Sequence, residues 1–315
     1  LNEVEGVRIS DETRQRVLTA AQDLDYVPDA TAQALVSRRT RIIGLVFSRS
    51  YHHLASDAFL LQIVDGLLDV VRQHGIRLLL DSVEDLDPKD SYLSLARAKR
   101  IDGIILSLPR TNDPELHVLA EEGFPVVLIG RMPTERICSV DVNNRTASRK
   151  AVEHLLSLGH KRIGCITNAP PSFIAAADRL HGYREALADA GLAYRENLVR
   201  YGDYGPQSGY EAMNSMLQES NLPTAVFVAS DVVAFGAMAA INEHNLKIPD
   251  DIAVIGFDDV PLSRFMNPPL TTIRLPAKNL GRRAGELLFD LILHQVEPGR
   301  QVTLDTELVV RNSTA

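Results

Sequence analysis

From Ile42 onward the chain repeats one unit, an apolar run of about five residues followed by a segment with apolar residues at helical spacing. "IIGLVF" leads into "FLLQIVDGLLDVVRQH" and then "IRLLLD"; "YLSLARAK" precedes "IDGIIL", and "ELHVLAEE" precedes "VVLI". The rhythm resumes after "SVDVNNRTASRKAVEHLLSLGH" with "KRIGCI", "DRLHGYREALADAG", "LVRY", "SGYEAMNSMLQE", "AVFVA", "VVAFGAMAAINEH" and "IAVIGF". Continuous apolar strands alternating with helices are the pattern of parallel strands covered on both faces, so the fold class is α/β with doubly wound parallel sheets. The units are too many for one sheet of ordinary size, which predicts two α/β subdomains. No low-complexity linker separates them, and the chain is expected to cross between them near Val142, Thr271 and Gly299. That assigns residues 41–142 plus 273–299 to the first subdomain and 143–272 plus 300–315 to the second. A ligand is expected between the two, at the carboxyl ends of the strands.

The first 40 residues read differently. In "SDETRQRVLTAAQDLDY", Ser10 is an N-cap and Val17, Leu18, Ala21 and Leu24 fall on one helical face. Ser10 and Thr13 lie at the open end of that helix, where N–H groups and hydroxyls can hold a phosphate. Pro28 breaks the pattern, and residues 29–40 contain a short small-residue helix, Ala30–Ser37, with one large apolar residue in its middle, Leu35. Three arginines follow within four positions, Arg38, Arg39 and Arg41. The net charge of -8 argues against a protein that coats nucleic acid over its whole surface, so any such contact is local. No apolar run is long enough to span a membrane, and no signal-peptide pattern opens the chain. Two cysteines with no metal or disulfide spacing suit a reducing cytoplasm.

Enzyme signatures fail in turn. There is no GxGxxG after a strand, no GxxxxGK[ST], no HExxH and no GxSxG. His52 and His53 sit in a polar loop where solvation explains them better than a metal does. Cys138 and Cys165 read as small core residues. Polar residues directly after buried strands are more informative: Ser48, Ser107, Arg131, Ser230–Asp231 and Asp258–Asp259. Asp231 is expected to cap a helix. Asp258 is expected to meet a ligand, because Asp259 or Ser263 can serve the segment that follows. Arg179 is read as opening the helix "DRLHGYREALADA", where the dipole disfavours a cation unless it faces a ligand.

Together "ISDETRQRVLTAAQDLDYVPDATAQAL", "RRTRIIGLV", "VEHLLSLGHKRIGCI", "DRLHGY", "PTAVFVASDVVAFGAMAAI", "IPDDIAVIGFDDVPLSRFMNPPLTTIRLP" and "LGRRAGELL" resemble the lactose/galactose repressor (LacI/GalR) family, in register over nearly the whole chain. The resemblance implies a bacterial transcriptional regulator, usually a repressor, with a helix-turn-helix headpiece, a hinge helix and a core like that of periplasmic sugar-binding proteins. It implies that the Ala30–Ser37 helix lies in the DNA minor groove beside its copy from a dimer partner, with Leu35 wedged into a base step. The physics is compatible. An eight-residue helix is marginal alone, small Ala30, Ala32 and Ala34 permit close approach, and an apolar wedge kinks DNA. Arg38, Arg39 and Arg41 can then reach phosphates. By position the resemblance assigns Arg179 and Asp258 to effector contact, Tyr204 to an aromatic that packs on the ligand, Ser230 to a polar contact and Phe59 to an aromatic of the first subdomain; Ser107 and Arg131 join them as candidates. An aromatic platform with Arg and Asp suits a carbohydrate, with purines and other small metabolites left open.

Several positions depart from the family. Its first helix and most of its recognition helix should precede Leu1, so residues 1–28 are expected to be a partial headpiece of an N-terminally truncated chain. Residues 1–41 carry six Arg against seven Asp and Glu, so this part is not basic overall. Asp29 stands where Asn is usual, and Gly130 and Asn143 stand where Asp is common. The reading that follows is a cytoplasmic, homodimeric, DNA-binding repressor without cofactor, metal or membrane contact, switched by a small effector. The alternative is a periplasmic-type solute-binding protein, against which the headpiece helix and Arg-rich hinge count. Enzymatic activity is not expected, for want of a nucleophile–base pair or cofactor loop. The C-terminal "LDTELVVRNSTA" has no heptads, which predicts a dimer rather than a tetramer joined by a helical tail, with the helix from Phe59 to His74 a candidate part of its interface.

Overall fold

The computed structural model describes residues 10–27, 29–37, 39–47, 57–83, 91–110, 113–132, 134 and 136–314. The expected Arg38, Ser48, His52 and His53 lie outside the described residues. Two six-stranded sheets form the core. The first contains β1 (Ile42–Phe47), β2 (Arg77–Ser82), β3 (Gly103–Ser107), β4 (Val126–Ile129), β5 (Cys138–Val142) and β11 (Gln301–Leu304), in the order β11-β5-β4-β3-β1-β2 and parallel throughout. The second contains β6 (Ile163–Thr167), β7 (Val199–Tyr201), β8 (Ala225–Val228), β9 (Ala253–Asp258), β10 (Thr271–Arg274) and β12 (Glu307–Val309). Its order is β12-β10-β9-β8-β6-β7, parallel except where β12 runs against β10.

The continuous apolar runs follow from burial on both faces. In β1, Ile43, Leu45 and Phe47 enter the core that includes α3 (Ala58–His74) and α10 (Ala277–Ile292), while Val46 enters the core under α4 (Tyr92–Arg97) and α5 (Pro114–Glu121). Helices α6 (Asn144–Ser157) and α7 (Ile174–Asp189) pack as a pair on the second sheet, and α8 (Pro206–Leu217) and α9 (Asp231–Glu243) pair on its other face. In each sheet the strand order reverses once, between β1 and β3 and between β6 and β8. At such a point the loops leave to opposite faces and open a crevice at the carboxyl ends.

The crossings differ from the expected positions. The first falls at Asn143, next to the expected Val142. The second follows Arg274 rather than Thr271, because Thr271–Arg274 is one strand that pairs with β9 and cannot be cut at 272/273. The third follows Leu304 rather than Gly299, because residues 301–304 pair with β5 in the first sheet. Short strands at a sheet edge carry little hydrophobic pattern, and the boundary at 299/300 misassigned one.

Ahead of the core, α1 (Asp11–Asp23) is capped by Ser10, whose Oγ accepts the Thr13 N–H at 3.3 Å. No residue of α1 is buried. Helix α2 (Ala30–Ser37) starts at Asp29, whose Oδ1 accepts from Ala32 N at 3.3 Å. The linker after it is pinned to the first subdomain by Asp102, which accepts from Thr40 N at 2.7 Å, Thr40 Oγ1 at 2.9 Å and Arg41 N at 2.8 Å.

Candidate functional site

The carboxyl ends of both sheets meet at a cavity of about 40 Å³. The first subdomain lines it with Phe59 in the first turn of α3, Ser107 at the end of β3 with Leu108 and Pro109 after it, Gly130 and Arg131 after β4, and Asp141 in β5. The second contributes Asn144, Phe173 to Ala175 and Arg179. Gly130 has φ 114°, and a Cβ there would lie 2.9 Å from Pro109 Cδ. Its lack of a side chain is thus set by the turn.

Arg179 is the polar centre. It is buried, and its Nε donates to Asn144 Oδ1 at 2.9 Å and its Nη1 to the Ala229 carbonyl at 2.7 Å. Asp258 Oδ1 stands 3.7 Å from Nη1, and the guanidinium carbon lies 4.0 Å from the centroid of the Phe257 ring. Helix α7 begins at Ile174, so Arg179 occupies its second turn and does not open it. The dipole therefore does not explain the residue. What holds a buried cation here is the pair of acceptors and the flanking carboxylates.

Asp258 ends β9 with φ 122°, a backbone conformation that costs a residue with a side chain free energy and concentrates at functional sites. Burial pushes its carboxyl up from the ordinary value, opposed by Arg179, with the charge of Asp231 adding to the rise; Ser230 donates to it. Burial also pushes Asp141 up to about 6, against the bond from Val142 N and the charges of Arg131 and Arg179. The same burial lowers Arg179, opposed by Asp258 and Asp141.

Asp231, beside Asp258, has a different set of contacts. It is the first residue of α9 rather than its cap, and its carboxylate reaches away from the helix. Oδ2 accepts from Val260 N at 3.0 Å and Ser263 Oγ at 2.6 Å, and Oδ1 from Thr272 Oγ1 at 2.6 Å. A Cβ on Gly256 would collide with Oδ1. Asp259 is committed too, taking Arg274 Nε at 2.7 Å and Arg311 Nη2 at 2.6 Å. Of the acidic residues after β8 and β9, Asp258 alone keeps its carboxylate beside the arginine.

Four of the seven expected effector residues line the cavity, and the other three lie behind them. Phe59, Ser107, Arg131 and Arg179 line the cavity, Asp258 adjoins Arg179, Ser230 bonds Asp258, and Tyr204 meets the Phe173 ring edge-on at 5.5 Å. Arg131 spans the subdomains, with Nη2 2.7 Å from Asp178 Oδ2 on α7. Sequence reasoning missed Asp141, Asn144 and Phe173. The family comparison pointed to Asn143, but that residue caps α6, accepting from Thr146 N at 3.0 Å, and its neighbours Asp141 and Asn144 face the cavity. Alternation along "SVDV" was the available signal for Asp141, while Asn144 lies beyond the strand as the first residue of α6.

The expected DNA-contacting residues lie apart from this crevice. Ser10 and Thr13 share a hydroxyl–hydroxyl bond of 2.9 Å at the start of α1, and Ala32 and Leu35 lie on α2. Leu35 is 83% exposed and does not pack on the core.

A family model of a periplasmic binding protein-like domain matches residues 152–314. The chain is 34% identical over 309 residues to the HTH-type transcriptional regulator CelR of Thermobifida fusca, covering 97% of this chain and 91% of that one. It is 33% identical over 308 residues to the HTH-type transcriptional repressor PurR of Mannheimia succiniciproducens, covering 97% and 90%. Among solved structures it matches a complex of the transcriptional regulator CelR with cellobiose, with TM-score 0.82 and 33% identity over 97% of this chain and 92% of that one. It also matches the Lac repressor dimer bound to operator and the anti-inducer ONPF, with TM-score 0.83 and 30% identity over 98% and 92%. These relatives are transcriptional regulators and not enzymes.

Proposed function

The chain belongs to the LacI family of transcriptional regulators, and from that premise we propose that it is a cytoplasmic repressor that binds a palindromic operator as a homodimer and is switched by a carbohydrate in the cleft. The observation that carries the effector reading is the buried Arg179–Asp258 pair at the point where both sheets present their carboxyl ends. A sugar offers hydroxyl donors, which a carboxylate accepts strongly, and hydroxyl acceptors, which a guanidinium holds in a fixed plane. The described bonds of Arg179 use Nε and Nη1, which leaves Nη2 for the ligand. Phe59, Phe173 and Tyr204 supply the apolar faces that sugar rings stack on. The relative solved with cellobiose supports the same class.

The cavity lies between the two subdomains, so a ligand reaches it as they part. The Arg131–Asp178 ion pair then breaks, and its re-formation closes the cleft on the ligand. At the other end, the exposed Leu35 on a small-residue helix is the wedge for the minor groove, and Ser10, Thr13, Ala32 and Arg38 are its neighbours on the DNA. A solute-binding protein for a transporter has no use for α1, α2 or the pinned linker. Isothermal calorimetry with cellobiose, other sugars, polyols and nucleobases tests the effector class. Tight binding of a sugar is expected; binding of nucleobases alone overturns the carbohydrate reading.

A further inference from the structure

Asn168 follows β6 directly and is 4% exposed. Its Oδ1 is buried and accepts no hydrogen bond among the described residues. Other buried polar groups of the same subdomain do find partners. Thr167 Oγ1 donates to the Ala169 carbonyl at 2.8 Å, Tyr183 Oη donates to the Ile163 carbonyl at 2.8 Å, and Asp231 takes three donors. A buried acceptor left without a donor is a cost that a fold retains for a purpose.

The location supplies the purpose. β6 and β8 flank the reversal of strand order in the second sheet, where ligands of such sheets sit. Ser230 leaves β8 and Asn168 leaves β6 on either side of that point. The Asn168 carbonyl accepts Tyr204 N–H at 2.8 Å, and the Tyr204 ring meets Phe173, which lines the cavity. Asn168 thus stands behind the cavity lining, joined through Tyr204 to Phe173.

We propose that Asn168 is a further effector contact, its Oδ1 accepting a hydrogen bond from a hydroxyl group of the ligand. The inference rests on the cleft reading above and adds to it a neutral acceptor distinct from Asp258. A neutral amide costs less to desolvate than a carboxylate, and it selects for a ligand with a donor at that place.

The test uses Asn168→Leu, which keeps the size and removes the polar atoms, and Asn168→Ala, which cannot overpack. Melting temperature without ligand and calorimetric affinity are measured for both against a panel of cellobiose, maltose, lactose, glucose and ribose. The expected result is an affinity loss of fivefold or more for whichever sugar the wild type binds, with the melting temperature kept or raised in at least one variant, because the orphaned acceptor is gone. A sugar that binds both variants within fivefold of wild type overturns the Asn168 contact and leaves the cleft reading standing. A lowered melting temperature in both variants marks a structural residue and also overturns it. If the wild type binds no sugar of the panel, the carbohydrate reading fails and this inference fails with it.

Discussion

Asp231→Ala tests the division of labour between the two adjacent buried carboxylates. Asp231 holds Val260 N, Ser263 Oγ and Thr272 Oγ1, which tie α9 to the segment after β9 and to β10. Hydrogen bonds to a charged group contribute about 1.5–3 kcal/mol each. Their sum is offset by the cost of keeping a carboxylate buried, which shows as the upward displacement of its proton affinity. Asp231→Ala leaves three neutral donors buried without an acceptor, at about 1–3 kcal/mol each, so a loss of about 3 kcal/mol or more is expected in urea unfolding followed by circular dichroism, with the slope unchanged. Asp258→Asn is the contrast. Burial raises the Asp258 carboxyl, so its charge costs stability at neutral pH, while the same charge pairs with buried Arg179 at 3.7 Å. The two effects oppose, so the variant changes stability by less than Asp231→Ala at pH 7.5, and the part due to the buried charge vanishes as pH falls towards the unfolded carboxylate value of about 3.9. An Asp231→Ala variant that loses less than about 1 kcal/mol, or that keeps full stability while losing effector affinity, refutes the reasoning.

Three further outcomes follow from the same geometry. Arg179→Ala removes the donor facing the ligand and weakens effector binding by about thirtyfold or more in calorimetry, equivalent to roughly 2–5 kcal/mol for a buried charged contact. Leu35→Ala, at a side chain 83% exposed, leaves the melting temperature unchanged but weakens operator binding of the full-length protein by about 1.5–3 kcal/mol per subunit in an anisotropy titration. Sugar affinity falls as pH drops below neutrality, because Asp258 and Asp141 hold raised proton affinities and must lose their protons to accept hydroxyl donors. The decline reaches at most about tenfold per pH unit for each carboxylate, and proton release in two buffers of different ionisation enthalpy checks its sign.

The strand–helix alternation made the two-sheet architecture legible, since apolar runs such as Ile42–Phe47 are required only where both faces of a strand are covered. The last crossing was not legible. Gln301–Leu304 alternates exposed and half-buried residues at a sheet edge, and nothing local says which sheet it joins. In the cleft, polar residues after strands pointed to Ser107, Arg131 and Asp258. The same rule applied to "KRIGCITN" points to Asn168, the contact proposed above. The reading that set Asp231 apart from Asp258 assigned Asp231 to a helix cap, whereas its role is to bind Ser263 and Thr272, 32 and 41 residues further along the chain. Arg179 was identified by its place in a resembling motif; the helix-dipole argument for it fails, because small Ala175, Ala176 and Ala177 extend α7 upstream by a full turn.

The central claim is that a ligand in the cleft controls a DNA contact made by α2. The most direct measurement is the affinity of the full-length protein for a palindromic operator selected from random DNA, taken with and without the sugar that the calorimetric panel identifies. The account predicts that saturating sugar changes wild-type operator affinity by about tenfold or more, equivalent to roughly 1.4 kcal/mol of coupling, and that Arg179→Ala binds the same operator but no longer responds. An operator affinity that the bound sugar leaves unchanged within twofold would contradict it.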